Sequence, residues 1–109
     1  MPTPPSRRLK DDTEADIDHH AETAWPHLDE VTIRWRGNYG YVTAHLDTDE
    51  TIPLCRLTYL GLDNLWEFAI YDPASDTYQD SLLPTGNSVG TVQEALDCAG
   101  RIHLPDTTD

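Results

Sequence analysis

From Val31 onward, apolar and polar residues alternate. Val31, Ile33 and Trp35 interleave with Thr32, Arg34 and Arg36, the period of two that marks a half-buried strand. Gly37-Asn38 can supply the positive φ angles of a tight hairpin, and residues 39–46 return as the partner strand. Residues 47–50 (Asp-Thr-Asp-Glu) make the next turn. Residues 52–60 read as a third strand, with Pro53 near its start, where a missing backbone donor is tolerated. A turn at 61–64 leads to a fourth strand, 65–71, in which Trp66, Phe68 and Ile70 point one way and Glu67 the other. Residues 72–76 form a turn by composition, and 77–83 a short fifth strand.

The period then changes. Thr91-Val92-Gln93-Glu94 is a capping box, with Thr91 placed to bond the Glu94 amide and Glu94 to reach back. Val92, Ala95, Leu96, Ala99 and Ile102 follow at helical spacing on one face. Gly100 weakens the final turn and Pro105 ends it. The pattern predicts an α+β fold: a four- or five-stranded antiparallel meander sheet with one C-terminal helix packed on a face.

The first thirty residues lack either period. Arg7, Arg8 and Lys10 open the chain, and Asp11, Asp12, Glu14, Asp16, Asp18, Glu22, Asp29 and Glu30 follow with no Lys or Arg among them. Low hydrophobicity, one-sided charge and early prolines predict a mobile arm through about residue 25. A short helix around 12–24, ended by Pro26, is the alternative, with Ile17 and Trp25 as its large apolar residues. The expected organisation is therefore a flexible acidic arm over 1–28, a single domain over 29–104 and a disordered tail over 105–109.

Composition narrows the function classes. The 109 residues carry 20 Asp or Glu against 7 Lys or Arg, a formal charge of −13. Such an anion is repelled by nucleic-acid phosphates and by anionic membrane surfaces, so neither is an expected partner. Eight of the acids fall within residues 11–30, whereas twelve acids against four arginines are spread over the residues after 30, so acids are densest in the arm. The basic start is followed by acid rather than an apolar run, and no stretch approaches 18 apolar residues, arguing against a signal peptide or a membrane span. Cys55 and Cys98 are too few for a disulfide framework, and a reducing, cytoplasmic setting is expected.

Two resemblances can be stated on specific residues. Trp35, Tyr39-Gly40-Tyr41-Val42, Pro53-Leu54-Cys55-Arg56-Leu57, Trp66-Glu67-Phe68-Ala69-Ile70-Tyr71, residues 80–84 and residues 90–99 together resemble a group of small uncharacterised actinobacterial proteins over about 31–104. That resemblance implies domain limits and a bacterial origin, and no activity. Leu83-Pro84, Gly90-Thr91, Glu94-Ala95-Leu96 and Ala99 are similar to the end of HicB-type antitoxin domains, which implies a small sheet followed by a helix.

Candidate chemistry is sparse. Cys55 falls within a strand and Cys98 on the helix, without the positive surroundings that activate a thiol; Ser81 and Ser88 lack a nucleophile-elbow setting. His19, His20, Glu22 and His27 offer metal ligands within nine positions, but on an arm expected to be flexible. Asp63, Asp72 and Asp76 read as turn formers rather than as an acid–base pair. No catalytic, cofactor or metal residues are assigned, and no enzyme activity is expected.

One constellation favours binding. Arg34 and Arg36 share the polar face of the first strand, and neighbouring strands provide Tyr39, Tyr41 and Arg56. Projecting together they form an arginine–tyrosine surface suited to an anionic or extended partner. Cross-strand pairing with Glu67 or Asp80 is the competing use of these arginines. A related expectation has the acidic arm folding over this face and masking it. The sequence therefore points to a small non-catalytic protein-interaction or regulatory module whose partner is a protein of basic character steered by the net charge. An acidic inhibitor of a nucleic-acid-binding protein or toxin, and a small-ligand binder or enzyme using a sheet–helix pocket, are the alternatives. An edge strand offers a route to a homodimer.

Overall fold

The computed structural model describes residues 4–26, 28–46, 48–61, 65–80, 86 and 88–103. Helix α1 (Arg7–Ala24) comes first, then strands β1 (Leu28–Arg36), β2 (Tyr39–Leu46), β3 (Thr51–Tyr59), β4 (Trp66–Asp72), β5 (Thr77–Asp80) and β6 (Val89–Gly90), and finally helix α2 (Val92–His103). The strands form one antiparallel sheet in meander order β1-β2-β3-β4-β5, with β6 also pairing to β4. The α+β meander with a C-terminal helix on it is the architecture the alternation and capping box indicate. The sixth strand, two residues long, adds to the four or five expected. Residues 81–83 of the expected fifth strand, and the tail at 105–109, lie outside the described residues.

Gly37, with φ 60, opens the two-residue turn between β1 and β2, where a residue without Cβ takes positive φ freely. The register Arg36↔Tyr39, Arg34↔Tyr41 and Ile33↔Val42 follows from that turn. In β3 a bulge sets Leu54 between the pairs Val42↔Cys55 and Thr43↔Pro53, and both Leu54 and Cys55 are fully buried. The capping box of α2 forms in full: Glu94 N donates to Thr91 Oγ1 at 3.2 Å, and Thr91 N donates to Glu94 Oε1 at 2.9 Å.

The N-terminal segment corrects the expectation of a disordered arm. It is an 18-residue helix packed against β1 and α2. Ser6 caps it, accepting from Leu9 N at 3.1 Å. Thr13, Ile17 and Ala21, spaced four apart, are buried; Ile17 and Ala21 join the core of Val31, Ile33, Val42, Leu96 and Ala99. Thr13 is tolerated there because its hydroxyl donates to Leu9 O at 2.7 Å. The aligned acids Glu14, Asp18 and Glu22 disfavour an isolated helix, so tertiary packing of the buried stripe orders this one. α1 thus belongs to the packed domain rather than preceding it.

Trp25, just past α1, ties the two helices together. Its indole Nε1 donates to Asp97 Oδ1 at 3.0 Å, and the same oxygen lies 2.8 Å from His20 Nε2. The ring rests against Gly100, which corrects the reading of that glycine as a mere weak point in α2. Ile102 is also corrected: it is 62% exposed rather than part of the core. Two residues turn a helix by about 200°, so covering α2 at Gly100 leaves Ile102 pointing away.

Candidate functional site

Both helices cover one face of the sheet, and no described element covers the other. Alternation assigns Val31, Ile33 and Trp35 to the covered face and Arg34 and Arg36 to the open one. Opposed residues of paired strands share a face, so the register builds two rows there. The first runs Arg34–Tyr41–Arg56–Ala69, with the backbone of Asp80 next; the second runs Arg36–Tyr39–Thr58–Glu67. All five residues expected to form the arginine–tyrosine surface are therefore brought together.

Ring contacts hold them in place. Tyr39 and Tyr41 lie 6.3 Å apart by ring centroid, and Tyr78 packs edge-on to Tyr41 at 5.3 Å. The Arg56 guanidinium sits 4.8 Å from the Tyr39 centroid and 5.9 Å from that of Tyr78, in reach of both π faces. Tyr71 backs Tyr78 at 5.3 Å. Burial is the main cause pushing the Tyr78 phenol above its usual value, with Cys55, Tyr41 and Asp76 adding to it and Arg56 opposing, so it stays a hydrogen-bond donor at neutral pH. Arg34, Arg36, Tyr41, Thr43 and Tyr78 line a shallow depression of ≈ 400 Å³.

Arg34 and Arg36 are exposed, and among the described residues neither has a carboxylate within ion-pair distance. Glu67 lies three strands from Arg36 in its row, beyond a direct cross-strand pair. Tyr71 and Tyr78 are the residues of this candidate face that sequence reasoning missed. The signal was present: with residues 73–76 as the turn, Asp72 opposes Thr77 and Tyr71 opposes Tyr78.

α1 does not mask this surface. It lies on the opposite side of the sheet, where Trp35 Nε1 donates to Glu14 Oε2 at 3.0 Å. Its outer side carries Asp11, Asp12, Asp16, Asp18 and Glu22, all exposed. Asp18 and Glu22 meet Asp29 and Glu30 in a cleft of ≈ 300 Å³ between α1 and β1. Partial burial, and then Glu30, Glu14 and Glu22, push the Asp18 carboxyl above its ordinary value. Acids thus crowd residues 11–22 of α1, after Arg7, Arg8 and Lys10 at its start, while Arg34, Arg36 and Arg56 lie on the open sheet face.

The other candidate groups have structural partners. Asp72 accepts from Ala74 N at 3.0 Å and from Ser75 Oγ at 2.9 Å, and Tyr71 Oη donates to Asp76 Oδ1 at 2.6 Å. These bonds fix the β4–β5 turn, where Asp76 takes φ 54. Cys55 and Cys98 are free thiols; burial pushes both upward, so each is protonated at neutral pH. His19 is exposed, His20 meets Asp97, and His27 lies outside the described residues, as do Asp63 and Ser81. Among the described residues no three His, Cys, Asp or Glu side chains are grouped to hold a metal ion. None of the described helices is long and apolar enough to cross a membrane. No protein-family model, curated protein or solved structure matches the chain.

Proposed function

We propose that this protein is a non-catalytic protein-interaction module whose working surface is the open sheet face. The observation that carries the reading is the clustering of arginines with tyrosines. In a chain of net charge −13, Arg34, Arg36 and Arg56 stand together among tyrosines on a face that no described element covers. Rigid aromatic rings supply contact area at low entropic cost and arginines add charge-assisted contacts, the composition that concentrates binding energy in interfaces. The thiols suit a reducing compartment, and the cytoplasm is the proposed setting. A comparison of partner capture by the wild-type chain and by Arg34→Glu/Arg36→Glu tests this: the double variant should keep its fold and lose the partner.

A second reading is favoured by the order of α1. Glu14, Asp18 and Glu22 recur every four residues, which places carboxylates about 6 Å apart along a rigid helix. Such a row suits an acidic inhibitor seated in the basic cleft of a nucleic-acid-binding protein or toxin. Asp18→Asn/Glu22→Gln, which spares the bond from Trp35 to Glu14, discriminates the two readings. Loss of the partner in this variant, with retention in the arginine variant, supports the inhibitor.

A further inference from the structure

We infer that the ligand of the open face is an extended acidic peptide segment that presents carboxylates two residues apart. The inference rests on the reading of this face as the working surface. Arg34 and Arg36 are separated by one residue on β1, which sets their Cα atoms about 6.8 Å apart and sends both side chains to the same side. An extended peptide has the same geometry: residues i and i+2 project to one side at that spacing. Two guanidinium groups thus match two carboxylates of a strand lying alongside, each able to form a paired, charge-assisted contact.

The depression between them supplies neutral donors. Tyr41, Tyr78 and Thr43, each carrying a hydroxyl, line the same ≈ 400 Å³ space as Arg34 and Arg36. The tyrosine rings are tilted against one another, at 61° for Tyr41–Tyr78 and 53° for Tyr39–Tyr41. They form a corrugated floor for side chains rather than a row of parallel platforms for bases. Charge points the same way. Repulsion from a −13 chain grows with each negative charge on the ligand, and β1 offers two exposed arginines, Arg34 and Arg36, on this face. A peptide with two carboxylates uses them fully, whereas each further phosphate of a nucleic acid adds repulsion without a matching exposed arginine on β1.

The test is an NMR titration of the ¹⁵N-labelled full chain, following the arginine side-chain Nε–Hε signals and the backbone amides. Four probes are compared: a capped Ser-Glu-Ser-Glu-Ser peptide, its isomer with the glutamates adjacent, a uridine decanucleotide and inorganic phosphate. The alternating peptide is expected to shift Arg34, Arg36 and the amides of residues 39–43, and to bind at least tenfold more tightly than the isomer. Arg34→Gln/Arg36→Gln, folded by the same spectra, should weaken it at least tenfold. Equal binding of the isomer, tighter binding of the decanucleotide, the same shifts from phosphate alone, or no shift at millimolar peptide would each overturn the inference. If acidic peptides fail while Arg34→Glu/Arg36→Glu still abolishes partner capture, the face stands as the interface and only its ligand is wrong. If capture is unaffected too, the reading of the face falls as well.

Discussion

The indole of Trp25 rests directly on the backbone of Gly100: a β-carbon at residue 100 would stand 2.6 Å from Cζ2 of the ring and 2.9 Å from Cη2. With the bond from Trp25 Nε1 to Asp97, one turn earlier, this contact clamps the end of α1 onto α2. Helix propensity alone makes Gly100→Ala stabilising by about 1 kcal/mol. The clash works against it and costs about 1–3 kcal/mol where a tightly packed ring must move. The variant should therefore have a lower Tm than the wild type in thermal unfolding, and Trp25→Leu should remove the penalty of the alanine. A Tm raised by Gly100→Ala in the wild-type background would contradict the clamp.

The packing of α1 has its own measurable consequence. Ile17 is fully buried between α1 and the sheet, so Ile17→Ala should cost about 2–5 kcal/mol in urea unfolding. A solvated arm would register no change. Amide exchange should be slowed through the second half of the helix, where Ile17 and Ala21 meet the core.

Much of this fold was legible in the sequence, and the missing part has a definite cause. The β1–β2 hairpin and α2 announce themselves because alternation, Gly37 and the capping box agree at every level. In α1 they disagree. Its inward stripe of Leu9, Thr13, Ile17 and Ala21 contains a polar residue and a small one, while six acids dominate its composition. What tips the balance is the α2 surface and Trp35, and neither is a neighbour in sequence. The candidate face was legible for β1–β3, since an exposed arginine on an alternating strand declares its side. Tyr78 was missed because β5 is four residues long and its own alternation does not fix its phase; only the turn at 73–76, which sets Tyr71 opposite Tyr78, does so.

Acid should relieve repulsion at Asp18. Its carboxyl is pushed up by partial burial and then by Glu30, Glu14 and Glu22, so the folded protein binds this proton more tightly than the unfolded chain does. A carboxyl raised in the folded state disfavours folding once it is ionised. The penalty is therefore absent below the ordinary value of 3.8 and grows as pH rises through the folded value. Asp18→Asn should raise Tm at pH 7 and leave it unchanged at pH 3, checked by thermal melts at both.

Thiol labelling should separate the two cysteines. Cys55 is fully buried in β3 and its thiol is held protonated by burial, whereas Cys98 is half-buried on α2. In the native protein a thiol reagent should modify Cys98 slowly and leave Cys55 intact, with both reacting in denaturant. Rapid native labelling of Cys55 would mean that the β3 bulge opens far more readily than its packing implies.

The most direct measurement of the central claim is a hydrogen-exchange footprint of the chain with its captured partner bound. If the open face is the working surface, protection should appear in residues 39–43 of β2 and 56–58 of β3, with α1 unchanged. Protection confined to residues 11–22 of α1, with the sheet face exchanging as in the free protein, would contradict it.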